Sequence, residues 1–126
     1  MSILCNITSG TVVANAVRNP TTSWRRMVGL IGARELGPGD GLWLEPCSTI
    51  HTMGMRFPID VVLLNREGRV VAIAPNVPPR RPFVSHRNTA IIVELPAGST
   101  AENVRLGDEL VLVNEDETAG AIAGDA

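Results

Sequence analysis

The sequence contains no lysine and no tyrosine, and only two tryptophans and two phenylalanines occur among its 126 residues. Without lysine, Schiff-base chemistry at a lysine amine is excluded. The scarcity of aromatic rings argues against binding of single-stranded nucleic acid, which usually combines stacking platforms with a basic groove. The hydrophobic core must therefore be built from valine, isoleucine, leucine and methionine.

Charge of one sign is not in large excess either, because eleven arginines stand against thirteen carboxylates and the net charge is −2. No global positive field would attract DNA, RNA or anionic lipid. Apolar runs stay shorter than the roughly eighteen residues needed to span a bilayer, and the N-terminal residues resemble a strand rather than a signal peptide. We therefore expect a cytoplasmic protein with no nucleic-acid or membrane partner, whose Cys5 and Cys47 are reduced thiols.

The chain does have enough apolar residues, 44% of the total, for one domain that needs neither disulfide nor metal. Short β-prone runs separated by turn residues predict strands at residues 3–8, 11–17, 42–45, 59–64, 69–74, 89–95 and 109–113. The predicted strand at 59–64 contains a continuous apolar run, which indicates a strand covered on both faces. Residues 75–82 hold four of the nine prolines and predict a stiff, extended loop.

Helical signals are few. Four apolar residues recur at helical spacing after Ser23, which predicts a short helix over residues 23–31, and residues 100–104 predict a helical turn. The fold class is therefore mainly β, a small antiparallel barrel or sandwich with one or two short helices. We expect a single β-rich domain at residues 1–114 and a flexible acidic, alanine- and glycine-rich tail at 115–126.

The segment from Pro46 to Asp60 is the candidate site. Each of its two prolines restricts the residue before it to extended conformations, so the segment is expected to be an irregular crossover between two strands. Its polar side chains are predicted to surround one concave surface, approached by Arg80 or His86 from the proline-rich loop. The predicted ligand-binding residues are Cys47, His51, Met53, Met55, Arg56, Asp60, Arg80 and His86.

Two chemical roles compete with structural ones at this segment. Cys47 and His51 suit nucleophilic catalysis, with Asp60 orienting the imidazole, but a buried structural thiol is the favoured interpretation. Asp60 begins an apolar run and needs a partner, and a structural pair with Arg56 is favoured over a catalytic role. Met53 and Met55 alternate as strand neighbours on one face would, which favours core packing over a soft copper site.

Metal and anion sites are the remaining alternatives. The only cysteines and histidines, Cys5, Cys47, His51 and His86, lack the short spacings of structural zinc sites. A weaker site could use His51, Asp60 and His86, but we expect no metal and no cofactor. Four arginines with Ser85 and His86 could line an anion site, although solvated loop arginines are favoured; they are Arg56, Arg80, Arg81 and Arg87.

Several longer stretches resemble a known family. They read WRRMVGLIGARELGPGDGL, GLWLEPCSTIHTMGMRFPIDVVLLNREGRVV, VELPAGS and LGDEL, and they resemble domain-of-unknown-function family 192, an uncharacterised bacterial and archaeal family, over about residues 11–113. The resemblance implies a compact β-rich fold and no particular reaction. Gly54 stands where that family usually has a bulky residue, and Cys47 and His51 match one branch of it.

Two functions follow from these observations. The favoured one is a non-catalytic binding module whose site around residues 46–60 takes an unknown small ligand or a protein partner. The alternative is a thiol-dependent enzyme that uses Cys47 and His51. The first is preferred because the segment offers Arg, His and Asp side chains but no complete catalytic set.

Overall fold

The computed structural model describes residues 1–20, 36–100 and 102–114, and every named element within them is a β-strand. The predicted helix at 23–31 and the predicted tail at 115–126 lie outside these residues. The strands are β1 (Ser2–Asn6), β2 (Thr11–Arg18), β3 (Asp40–Leu44), β4 (Thr49–Ile50), β5 (Ile59–Leu64), β6 (Val70–Val77), β7 (Val84–Ser85), β8 (Ile91–Pro96) and β9 (Leu110–Asn114).

Seven strands form one sheet in the order β6-β5-β8-β3-β2-β1-β9. Neighbours run antiparallel except β2 and β3, which are parallel. The two edges of the sheet meet where Arg69 and Glu109 form a single bridge and Leu110 N donates to Gly68 O at 2.8 Å. The sheet is thus curled towards a barrel, and the prediction of a mainly antiparallel barrel or sandwich is confirmed.

The inner face of the curl holds the main core. Because side chains alternate along a strand, one set from every strand of the large sheet meets there, and Trp43 is its largest member. The set comprises Leu4, Ala14, Val17, Trp43, Val62, Leu64, Val70, Ile91, Val93, Leu95 and Leu110, joined by Val104 from a loop. Burial of these residues is the main source of stability.

The outer face of β3, β5 and β8 is covered by a second layer, which we call the outer layer and define as residues 46–58 and 78–90. Its two segments run antiparallel: Cys47 N donates to Ala90 O, β4 pairs with β7, and Thr52 N donates to Arg81 O. Met55 and Val84 from this layer are buried against the sheet. All six residues of β5 are consequently buried, which confirms the expectation that both faces of that strand are covered.

Both predicted hairpins are present. β1 and β2 pair around the turn at Ser9 and Gly10, and β5 and β6 pair around residues 65–68. Gly68 has a φ of 82° and a Cβ there would lie 2.7 Å from Leu110 O, so the chain requires glycine where the turn passes β9. At the predicted helical turn, Val104 N donates to Thr100 O at 3.1 Å.

The proline-rich loop begins later than predicted, because β6 continues to Val77. Ile59 pairs with Val77 and Val61 with Ala74, so two residues of β6 lie opposite Asp60 in a β-bulge. One of the two is Pro75, which is tolerated because β6 is an edge strand and a bulge leaves one residue outside the ladder.

Candidate functional site

The segment between β3 and β5 crosses the outer face of the sheet. β8 lies between these two strands and pairs antiparallel with both, so β3 and β5 are parallel to each other and the connection must pass over β8. Apart from the two residues of β4, the segment consists of turns and irregular backbone. The prediction of an irregular crossover is confirmed.

Thr52 joins the two segments of the outer layer. Its fully buried hydroxyl donates to Pro78 O at 2.7 Å and accepts from Arg81 N at 2.7 Å. Its backbone carbonyl accepts from Arg80 N at 3.1 Å and from Met55 N at 3.2 Å. One threonine therefore satisfies backbone groups on both segments and holds the proline-rich loop against the crossover.

Replacing Thr52 with valine is expected to lower the free energy of unfolding by about 2 kcal/mol, because the amide of Arg81 and the carbonyl of Pro78 lose their partner while the shape is kept. Urea unfolding followed by circular dichroism measures the change. Thr49→Val is the matched control, since that exposed hydroxyl makes one 3.4 Å contact to Val84 O, and it should change stability by less than about 0.5 kcal/mol. Equal effects of both variants would contradict this role of Thr52.

The outward side of the outer layer carries His51 and Phe83. Ile50 and Val84 form the pair of β4 and β7 that points to the sheet, and alternation turns their neighbours on both strands outwards. Extending the register of this pairing by one residue places His51 opposite Phe83. Both side chains are exposed, and that of Phe83 is 75% exposed.

Four arginines lie in the outer layer, and all four are exposed: Arg56, Arg80, Arg81 and Arg87. The two segments contain no aspartate or glutamate. In the described part of the chain these guanidinium groups form no ion pair and no side-chain hydrogen bond; the one salt bridge there joins Arg69 to Glu109. Their charge is therefore uncompensated within the layer.

Asp60 is buried on the other face of the sheet, with 1% of its surface exposed. Its carboxylate accepts from Asn76 N at 2.8 Å, from Gly98 N and Thr100 N at 3.0 Å each, and from the Thr100 hydroxyl at 2.8 Å. Burial raises the pKa of Asp60, but these hydrogen bonds outweigh it and hold the pKa below its usual value. Asp60 thus fastens the bulge of β6 and the turn after β8.

The prediction that Asp60 belongs to the cluster of site residues is wrong. Ile59 and Val61 point to the outer layer, and alternation turns Asp60 to the opposite face. The predicted pair of Asp60 with Arg56 is also wrong, because the partners of the carboxylate are backbone amides and Thr100. The other seven predicted residues lie in the outer layer, and their role in ligand binding stays a prediction.

Cys47 and His51 have separate hydrogen-bond partners. Cys47 Sγ donates to Thr49 O at 3.3 Å, and His51 Nδ1 accepts from Met53 N at 3.2 Å. His86, on the second segment, has its Nδ1 2.8 Å from Arg87 O.

The two methionines do not share a face, contrary to the prediction. Met55 is packed in the core beneath the outer layer with 8% exposed, whereas Met53 is 46% exposed. A turn at Met53 and Gly54, in which Gly54 has a φ of 84°, interrupts the strand alternation on which the prediction rested.

The described residues hold no cluster of potential metal ligands, but they form a cleft away from the outer layer. Across 1–20, 36–100 and 102–114 no group of three or more His, Cys, Asp or Glu is placed to hold a metal, and no helix in these ranges is long and apolar enough to cross a membrane. A cleft of about 340 Å³ lies away from the outer layer and is lined by Trp43, Glu45 and Glu67 among others. None of the predicted site residues lines it.

Two residues of interest, Phe83 and Glu94, were not predicted from the sequence. Phe83 carried a signal, since a phenylalanine beside prolines and arginines in a polar loop has little reason to be buried. Glu94 carried no sequence signal that distinguishes it from a strand residue facing solvent. It lies on central strand β8, 5% exposed, with Oε2 lacking a hydrogen-bond partner in the described chain, and burial raises its pKa to about 7 despite the charge of Arg18.

Comparisons with known proteins give a family and a fold. The family model described as Uncharacterized ACR, DUF192, matches residues 5–112. No curated protein matches the chain. A putative transcription regulator from Sinorhizobium meliloti 1021 is similar in structure, with 22% identity, a TM-score of 0.75, and 88% of this chain and 91% of that chain covered.

A protein of unknown function from Novosphingobium aromaticivorans DSM 12444 is also similar, with 24% identity, a TM-score of 0.72, and 87% of this chain and 82% of that chain covered. At such identities the likeness of both structures concerns the fold alone.

Proposed function

The chain belongs to the uncharacterised domain-of-unknown-function family 192, and we propose that it is a non-catalytic binding module whose outer layer receives an anionic partner. The binding surface keeps the predicted site residues except Asp60 and Met55, whose side chains are buried. It comprises the outward side chains of residues 46–58 together with those of residues 78–90.

One observation carries the proposal, namely the segregation of charge. The outer layer holds four arginines and no carboxylate, which leaves seven arginines against thirteen carboxylates in the rest of the sequence. The layer therefore has a charge of +4 on a protein whose remainder has −6. A local patch of one sign on a chain of the other sign attracts anions to that patch and repels them elsewhere.

The chemistry of the arginines supports the same function. A guanidinium group carries five donors in a planar fork that matches a carboxylate or a phosphate. Those of Arg56, Arg80, Arg81 and Arg87 have no internal partner in the described residues, so a ligand would displace no ion pair formed within that part of the chain. Thr52 ties the backbone at Arg80 and Arg81 to the crossover, which reduces the entropy lost on binding.

The placement of Asp60 favours binding over the thiol-dependent enzyme. A catalytic pair requires the base within hydrogen-bond reach of the nucleophile and a third group that orients the base. Cys47 and His51 bond to different backbone groups, and Asp60 is engaged on the far side of the sheet.

The test compares two double variants that remove the same charge. Arg80→Gln with Arg81→Gln alters the outer layer, whereas Arg66→Gln with Arg105→Gln alters exposed arginines elsewhere. Wild type is expected to be retained on immobilised heparin at low salt. The first variant should bind about tenfold more weakly, and the second should match wild type.

The proposal fails if wild type is not retained or if both variants lose retention equally. A duplex oligonucleotide belongs in the same titration because a structural neighbour is described as a putative transcription regulator. Binding of that probe through Arg80 and Arg81 would identify nucleic acid as the anion, while leaving the binding surface unchanged.

A further inference from the structure

We propose that the anionic partner is an extended protein segment in which acidic residues flank an apolar side chain, and that the apolar side chain packs on Phe83. The inference rests on the proposed function, since it names the partner of the same outer layer. It adds two requirements that a general anion site does not have, an apolar contact and a spacing of alternate residues.

The first requirement comes from the exposure of Phe83. Its ring is the most exposed of the large apolar side chains of the described chain, at 75%, and Met53 in the same layer is 46% exposed. A phenylalanine that is three-quarters exposed gains little from the fold, whereas covering it would remove a large apolar area from water. An anion without an apolar part would leave that area exposed.

The composition of the layer matches that of a protein interface. Interfaces are enriched in aromatic residues, methionine and arginine, and depleted in lysine, aspartate and glutamate. The exposed residues of the outer layer include Phe83, Met53 and four arginines, and the two segments contain no aspartate or glutamate. Arginine and aromatic residues are also the side chains that dominate binding energy in such interfaces.

The second requirement comes from the geometry of β4 and β7. Thr49 and Ser85 pair across these two-residue strands, and alternation turns the residues two positions away on the same side, His51 and Phe83, outwards as well. An extended peptide presents its side chains with the same period. Arg80 and Arg81, just before Phe83 in the chain, are then within reach of carboxylates next to the apolar residue.

Nucleic acid and lipid fit these observations less well. Stacking of successive bases needs several exposed rings, and Phe57, the other aromatic residue of the layer, is half-buried beneath it. A bilayer surface requires no alternation of side chains.

The experiment uses three fluorescein-labelled peptides of equal length and measures anisotropy on the full chain. The first alternates aspartate with leucine, the second aspartate with serine, and the third serine with leucine. We expect the first to bind at least tenfold more tightly than either of the others. Single-stranded oligonucleotide and vesicles with phosphatidylserine are titrated in parallel.

Two substitutions assign the binding to this surface. Phe83→Ala should weaken the aspartate–leucine peptide about tenfold and leave the weaker aspartate–serine peptide unchanged. Leu106→Ala is the matched control, because that side chain is also exposed, at 68%, but lies outside the outer layer. It should have no effect on either peptide.

The outcomes separate this inference from the proposed function. Equal binding of the aspartate–leucine and aspartate–serine peptides, or indifference to Phe83→Ala, overturns the apolar contact but keeps an anion-binding layer. A different outcome is that the oligonucleotide or the vesicles bind more tightly than every peptide, and lose that binding in the Arg80 and Arg81 double variant. That result overturns the protein segment as the partner but keeps an anion-binding layer. If no anionic probe binds, both proposals fail.

Discussion

Replacing Asp60 with alanine is expected to lower the free energy of unfolding by about 4–5 kcal/mol, a large effect for one substitution. The carboxylate accepts four hydrogen bonds, three from backbone amides and one from the Thr100 hydroxyl. Removing it deprives buried donors of their partner, which costs more than the hydrogen bonds contribute net. Urea unfolding at neutral pH measures the loss.

The control for Asp60 is Asp40, whose carboxylate accepts one hydrogen bond, from Gly37 N at 2.8 Å in a loop. Asp40→Ala should cost about 1 kcal/mol. Should Asp60→Ala fail to fold, Asp60→Asn provides the measurement, since it keeps the volume but turns an amide donor towards other donors. A loss of stability no larger than that of Asp40→Ala would contradict the role of Asp60 in holding the bulge of β6 and the turn after β8.

The same carboxylate gives the protein a sensitivity to acid. The pKa of Asp60 is lower in the folded state than its usual value near 3.8, so the unfolded chain binds the proton more tightly. The stabilisation is complete above that usual value and is lost as pH falls through the lowered pKa. Asp60→Asn should remove this part of the acid destabilisation.

How far the candidate site could be predicted depended on the face to which each side chain points. Proline spacing and poor helix formers were enough to predict that residues 46–58 cross over and meet the proline-rich loop. The face of Asp60 could have been inferred, because Asp60 lies within the predicted strand at 59–64 and alternation sets it apart from its neighbours. Its partners at Gly98 and Thr100 could not, since they are about forty residues away in a loop without a distinctive pattern.

The strands themselves were largely predictable because the local signals were strong. β5 was predicted with its observed bounds, since it contains a continuous apolar run and is bounded by proline and a turn. The continuation of β6 through Pro75 was not predictable from local preference, because the bulge opposite Asp60 depends on pairing with β5. The parallel pairing of β2 with β3 is likewise a tertiary result, as it joins strands separated by a long connection.

Glu94 is the second residue with a large expected effect. It lies on the central strand β8, where Leu42 and Val61 on the neighbouring strands are opposite it and share its face. Burial between these apolar side chains disfavours the charged carboxylate and raises its pKa from 4.5 to about 7. The positive charge of Arg18 offsets only part of this rise in pKa. Its side chain is exposed, and it lies on β2, where it pairs with Leu42 rather than with Glu94 itself.

We therefore expect the protein to lose about 3 kcal/mol of stability between pH 4.5 and pH 7. The folded state binds the proton of Glu94 more tightly than the unfolded state, so the stabilisation is complete below pH 4.5 and is lost as pH rises to about 7. Urea unfolding at a series of pH values follows this loss.

Glu94→Gln replaces the ionisable group with a neutral one of the same shape, and it should flatten the dependence on pH between 4.5 and 7. Above pH 7 the variant should be more stable than wild type by about 2–3 kcal/mol, since the buried charge is no longer formed. Glu67→Gln, which changes an exposed glutamate, should keep the slope of wild type. A wild-type profile that is flat or rises over this range would mean that Glu94 is charged in the folded protein, and a partner for its carboxylate would then have to exist.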